Sequence, residues 1–335
     1  MRICLLLLFT LLGAEASFAA EVNIYSARKE ALIKPLLDKY TEQSGVEVNL
    51  ITGKADALIK RLELEGVNSP ADLLLTTDVG RLHRARQLNL LAAVDSAELT
   101  KNIPSIYRDP ENYWFALSLR SRVIVYAKET VSAEDLSTYE ALADPVWKKK
   151  VCVRSSSNIY NQSLVSAMLV HLGEAKVEGW ARGLVANLAR SPKGGDRDQI
   201  KAVAIGQCKL ALVNTYYLAG MLSSKIEAEV NAANKVALFW PNQNGRGVHV
   251  NISGAGVTRS SMHKEEARKL LEYLSGAEAQ LWYAENNHEY PVRSDVPVSE
   301  ILRSWGDFKA DDLALSRLGE LNASAVRLMD RAGWK

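Results

Sequence analysis

Several features that would announce a chemistry are scarce in this chain. Among 335 residues there are three cysteines and five histidines. The histidines, His83, His171, His249, His263 and His288, are scattered without ligand spacing, which argues against zinc or another borderline metal, where clustered cysteine and histidine are expected. An excess of one charge is also missing. Lys and Arg number 41 against 39 Asp and Glu, a net of +2, so composition gives no reason to expect nucleic acid or a membrane surface as partner. No Gly-x-Ser-x-Gly elbow, His-Glu-x-x-His pair or glycine-rich phosphate loop occurs, which removes the commonest hydrolase, metalloprotease and nucleotide-binding signatures.

Long apolar runs are missing everywhere except at the start. There Arg2 precedes an apolar stretch from Ile3 to Leu12, and small residues including Ser17 and Ala19 follow. This is the pattern of a secretory signal peptide over residues 1–19, cleaved after Ala19. It is too short for the roughly 20 residues that span a bilayer. The expected mature protein is therefore an exported, periplasmic one without direct membrane insertion. Cleavage removes Arg2 and Glu15 together, so the charge balance stays at +2. Cys4 lies ahead of most of the apolar run and is not placed like a lipoprotein anchor.

About 316 residues remain, beyond the size at which a single core stops growing, and two lobes are expected. Only Cys152 and Cys208 survive cleavage. An oxidising compartment allows them to pair, and two separate buried thiols fit the sequence equally well. Short apolar runs alternate with helix-period segments, the mark of an α/β fold on mostly parallel sheets. Strands are expected at 22–25, 46–51, 71–76, 123–127, 150–154, 209–214, 236–240 and 248–257. Helices are expected at 57–64, 163–172, 218–226, 264–274 and 277–286, and from Leu32 to Tyr40 with Pro35 in the first turn. The first lobe is expected to hold residues 20–119 and about 241–290, the second 120–240 and about 291–335.

What the chain does have is tyrosine where such sheets bind ligands. Tyr25, Tyr160, Tyr216 and Tyr217 fall at or just beyond the ends of expected strands. Tyr25 sits inside its strand and has a packing role open to it. Tyr216 and Tyr217 can share a ligand only if the strand has already ended, because adjacent strand residues face opposite ways. Asn214 and Thr215, both good helix N-caps, supply that break. Cys152 precedes Tyr160, and Cys208 precedes Tyr216, by the same offset of eight residues, which suggests neighbouring strand–loop–tyrosine units. A phenol titrates near pH 10, so several phenolates at neutral pH require a cation that offsets their deprotonation. Three phenolates would neutralise a trivalent ion such as Fe3+, and phenolate is a hard donor suited to it.

The stretches Asn23-Ile24-Tyr25-Ser26-Ala27-Arg28, Gly53-Lys54-Ala55-Asp56, Ser69 to Thr76, Cys152-Val153-Arg154-Ser155, Asn158 to Ser163 and Asn214-Thr215-Tyr216-Tyr217 resemble the periplasmic ferric-iron-binding proteins of ABC transporters. Asp144 to Trp147, Gly194-Gly195-Asp196 and Glu289 to Val292 are similar to that family too. The resemblance implies a type II periplasmic binding protein, two Rossmann-like lobes joined by two hinge strands with a ligand cleft between them. It implies Tyr160, Tyr216 and Tyr217 as ligands of Fe3+, an inner-membrane ABC permease as partner, a monomer and no enzyme activity. Where some members carry a first-lobe histidine or tyrosine ligand this chain has Lys29 and Glu30, and the acidic ligand of others falls at or near Thr77. Related proteins with three tyrosines complete the shell with carbonate on arginines that match Arg28 and Arg120. Glu30, Asp78 and Tyr25 are weaker metal candidates. The alternatives are a type II binding protein for an oxyanion or a polyamine, a secreted enzyme, and an additional role as partner of a membrane receptor.

Overall fold

A computed structural model describes residues 20–335, so the expected signal peptide and Cys4 lie outside the described residues. β1 (Glu21–Ser26), β2 (Glu47–Thr52) and β3 (Leu73–Thr77) form a parallel trio with β1 in the middle. The helices Lys34–Ser44 and Ala55–Glu65 are the crossovers. Pro35 stands in the first turn of the former, where its missing N–H costs nothing. β4 (Phe115–Ala127), β5 (Val151–Cys152), β6 (Leu210–Asn214), β7 (Val236–Phe239) and β8 (Val250–Val257) complete one continuous sheet. Its order is β2-β1-β3-β8-β4-β6-β5, with β7 also paired to β4. Among the described residues no helix is long and apolar enough to cross a membrane.

Two separate hydrophobic cores sit on this sheet. The first gathers Ile24, Leu36, Leu58, Leu74, Leu82, Phe115, Ile252 and Leu270, among others. The second gathers Val123, Val151, Leu164, Val177, Ile200, Leu212, Val248 and Leu328, among others. β4 belongs to both: it pairs with β8 through Ser121 and with β6 from Arg122 onward. The return crossing lies between Val250, in the second core, and Ile252, in the first. Gly254 and Gly256 of β8 allow a close approach, since a Cβ at either would come within 2.5 Å of the carbonyl of Phe115 or Tyr113. The carboxyl-terminal part serves both cores, with Leu315 and Leu318 in the first and Ala325, Leu328 and Trp334 in the second.

Two elements differ from the sequence reading in ways that matter below. The helix expected from Ser163 begins at Ile159, and the one expected over 218–226 occupies Thr215–Leu222. Both now include the tyrosines in their first turns. Cys152 and Cys208 form a disulfide with Cα atoms 5.8 Å apart, tying β5 to the turn that enters β6.

Candidate metal centre

β5 and β6 lie side by side in parallel, and each leads at its carboxyl end toward a helix. The helices Ile159–Leu172 and Thr215–Leu222 that follow present Tyr160 and Tyr216 toward one another. The Tyr216 hydroxyl donates to that of Tyr160 at 3.2 Å. Tyr217 completes the group, its ring 4.3 Å from that of Tyr216, centroid to centroid, and tilted by 36°. As expected, the strand has ended before the pair. Asn214 stands at the N-cap position, but its side chain does not cap; it accepts from Arg122 Nη1 at 2.9 Å.

A buried polar network holds these two helix starts in place. Asp196, fully buried, accepts from Arg122 Nη1 at 3.1 Å, Arg154 Nη1 at 2.5 Å and the Asn214 backbone N–H at 3.0 Å. Arg122 also donates to Asn161 Oδ1 at 2.6 Å, and the Asn161 amide donates to the carbonyls of Arg154 and Ser155 at 2.9 and 3.1 Å. Asn161 and Asn214 flank Tyr160 and Tyr216 in sequence, so a single guanidinium fixes both. A buried charge persists only when paired and hydrogen-bonded in this way.

The electrostatics favour the neutral form of Tyr216 and Tyr217. Burial, and then the neighbouring Tyr160 and Tyr217, push the Tyr216 hydroxyl well above the usual phenol value, against the pull of Arg120. Burial and Tyr160 push Tyr217 up as well, with Arg154 pulling the other way. Two guanidinium groups face the Tyr160 ring, Arg120 at 5.2 Å and Arg154 at 5.7 Å from its centroid. Arg120 is buried, and its Nε and Nη2 have no hydrogen-bond acceptor in the protein. These two N–H groups lie on one edge of the guanidinium, the edge that grips a planar oxyanion in two-pronged fashion. Arg28 is buried as well, its Nη2 bonded to Glu289 at 2.8 Å and its Nε unpartnered. Burial opposes the Arg28 charge, but Glu289, Tyr283 and Tyr216 together more than offset it.

The weaker candidates go elsewhere. Tyr25 is fully buried in the first core and donates to Glu65 at 2.9 Å, with Arg61 stacked 4.6 Å over its ring. Glu30 is exposed on a short turn. Asp78 is buried, with both carboxylate oxygens engaged: Oδ1 accepts from Gly80 N and Ser163 Oγ, Oδ2 from Asn251 Nδ2. Among the described residues no group of three or more His, Cys, Asp and Glu gathers as a metal cluster. His249 is buried, and burial together with Arg122 and Arg120 lowers its pKa to about 3, so it stays neutral. A large cavity of about 560 Å³ on the first lobe, lined by Leu62, Val67, Leu88 and Met262 among others, includes none of these site residues. Arg122, Arg154, Asn161 and Asp196 carried no assigned role in the sequence reading, although three of them fall inside the family-like stretches.

A family model described as bacterial extracellular solute-binding protein matches residues 68–311. The chain belongs to that family. This solute-binding protein is 47% identical to iron uptake protein A1 of Synechocystis sp., over 94% of its own length and 88% of the relative's. The solved structure of a Trichodesmium protein (IdiA, FutA) in complex with iron and citrate ligands matches with a TM-score of 0.92 at 49% identity, covering 94% of this chain and 100% of that one. The ferric binding protein from Campylobacter jejuni matches with a TM-score of 0.90 at 38% identity, covering 94% and 100%. The fold is the type II binding-protein fold. These relatives are binding proteins of iron uptake, not enzymes.

Proposed function

We propose that this solute-binding protein captures ferric iron outside the cytoplasm on Tyr160, Tyr216 and Tyr217 and delivers it to the permease of an ABC importer in the inner membrane. The observation that carries the reading is the convergence of three phenols at two adjacent helix starts, with Tyr160 and Tyr216 hydroxyls 3.2 Å apart. A polyamine site would need carboxylates there, and an oxyanion site has no use for three phenols. Each phenol gives up its proton as the ion arrives, and three phenolates cancel its charge. A carbonate on the Nε and Nη2 edge of Arg120, with the Arg28 Nε also available, accepts from N–H groups that have no hydrogen-bond acceptor in the protein.

Binding by the second lobe followed by swing of the first is the closure expected of two lobes on two shared strands. Release follows reduction, since ferrous iron holds phenolates less well, or protonation, since protons compete for the same oxygens. Equilibrium binding of ferric iron to the purified mature protein tests the ligand set. Tyr216→Phe and Tyr217→Phe are expected to weaken binding at least tenfold each with the fold intact, whereas Tyr25→Phe is expected to leave it within about twofold. Loss of binding in Tyr25→Phe with wild-type binding in Tyr160→Phe would overturn the assignment.

A further inference from the structure

Asp78 has an unusual backbone and an unusual set of partners. Its φ is +81° although it is not glycine, a conformation that a side chain with a Cβ adopts only when its surroundings hold it there. Its carboxylate is fully buried and reaches four elements. Oδ1 accepts from the Gly80 N–H at 3.0 Å, capping the first-lobe helix Val79–Gln87, and from Ser163 Oγ at 2.7 Å on the helix that carries Tyr160. Oδ2 accepts from Asn251 Nδ2 of β8 at 2.9 Å and lies 3.6 Å from Arg120 Nη2 of β4.

β4 and β8 are the two strands shared by the lobes, so this carboxylate touches both connecting strands and the tyrosine helix of the opposite lobe. Tyr160, Ser163 and Ala167 fall on one stripe of that helix. The stripe faces the first lobe, since Ala167 packs into the first core while Leu164, Val165 and Met168 pack into the second. Gly80 packs against this stripe: a Cβ there would be in ordinary contact with Ile159 Cδ1 at 3.5 Å and Ser163 Oγ at 3.9 Å, and 3.3 Å from Asp78 Oδ1. Rotation of the lobes about β4 and β8 moves the stripe relative to Asp78, and the Ser163 bond is the polar contact on which that motion acts.

We infer that Asp78 is not a metal ligand but a positioning residue that couples the lobes, fixing the Tyr160 helix and Arg120 relative to each other through its bonds to Ser163 and the two shared strands. The inference rests on the iron-binding reading for its kinetic consequence, but its structural consequence is independent of iron. Without the Ser163 bond the arrangement that brings both lobes to the metal is less populated, and the bound ion escapes faster.

The test uses the full mature chain as wild type, Ser163→Ala, Asp78→Ala and the double variant. Interlobe distances are read by pulsed spin-label measurements on iron-free protein, and iron release is read by stopped flow after mixing ferric-loaded protein with excess EDTA. Ser163→Ala is expected to widen the interlobe distribution and speed release roughly three- to tenfold, the effect of one net hydrogen bond, with the visible band of the loaded protein unmoved. The double variant is expected to release no faster than Asp78→Ala, because both changes break the same bond. Wild-type interlobe distances in Ser163→Ala, or additive effects in the double variant, would overturn the coupling. A wild-type protein that takes up no ferric iron would overturn the iron reading instead, while the distance measurement would still decide the role of Asp78.

Discussion

Replacing Arg122 with methionine removes the charge that holds the two tyrosine-bearing helix starts together while keeping an unbranched side chain. Arg122 and Asp196 are 1% and 0% exposed. The change deletes donations to Asp196, Asn214, Asn161 and the Leu212 carbonyl. Breaking a buried pair by removing one partner costs about 3–5 kcal/mol, because the remaining charge stays desolvated. Here Asp196 keeps Arg154 at 2.5 Å and the Asn214 N–H at 3.0 Å, so the lower end, about 3 kcal/mol, is expected. Urea unfolding of the iron-free protein measures it, followed by tryptophan fluorescence, since Trp180 and Trp334 stand in the second core. Iron affinity should fall in the same variant, because Asn161 and Asn214 lose the group that aims Tyr160 and Tyr216. A single Arg122→Met variant within about 1 kcal/mol of wild type that binds iron normally would refute the reasoning.

Removing the disulfide as Cys152→Ala with Cys208→Ala opens a loop of sequence separation 56 and is expected to cost about 4 kcal/mol on the chain-entropy scale; a urea midpoint unchanged from wild type would contradict this. Because Tyr216 and Tyr217 titrate above the ordinary phenol range, the iron-free protein carries both protonated at neutral pH. Iron binding should expel about two to three protons, counted by pH-stat, and tighten as pH rises from 6 to 8; fewer than one proton per iron would count against phenolate ligation. The same raised values make the sign for stability opposite: their contribution is fully present below about pH 10 and is lost as pH climbs through the folded-state values, so these two groups should weaken the iron-free protein in strong alkali. Bicarbonate added to carbonate-free buffer should tighten iron binding in the wild type and much less in Arg120→Ala, and an equal response in both would return Arg120 to a purely structural role.

The strand–helix alternation and the places of the tyrosines were legible because apolar periodicity survives wherever one face packs on a core. β4 was read only from Val123, since Ser118, Arg120, Ser121 and Arg122 interrupt the apolar run. All four are buried, Ser118 bonded to Glu289 and Arg122 to Asp196, Asn161 and Asn214. The helix start at Ile159 was missed because Tyr160-Asn161-Gln162 shows no apolar period; those side chains serve the site and the loop before it. Arg122 gave no signal of its role, because Asn161, Asp196 and Asn214 lie 39, 74 and 92 residues away in the chain. Tyr25 met the strand-end criterion least well, since it sits inside its strand, and its burial against Glu65 gives it the packing role. The matched cysteine offsets hinted at adjacent units, and β5 and β6 are indeed paired in parallel, with Cys152 opposite Ala211 in the register.

The visible absorption spectrum of the purified mature protein during titration with ferric iron tests ligation by Tyr160, Tyr216 and Tyr217 most directly. Phenolate bound to ferric iron gives a charge-transfer band that no other side chain in this site can supply. The band should grow to an endpoint of one iron per chain and lose intensity in each of Tyr160→Phe, Tyr216→Phe and Tyr217→Phe, while Tyr25→Phe leaves it unchanged. A colourless protein that nonetheless holds one ferric ion per chain would contradict the account.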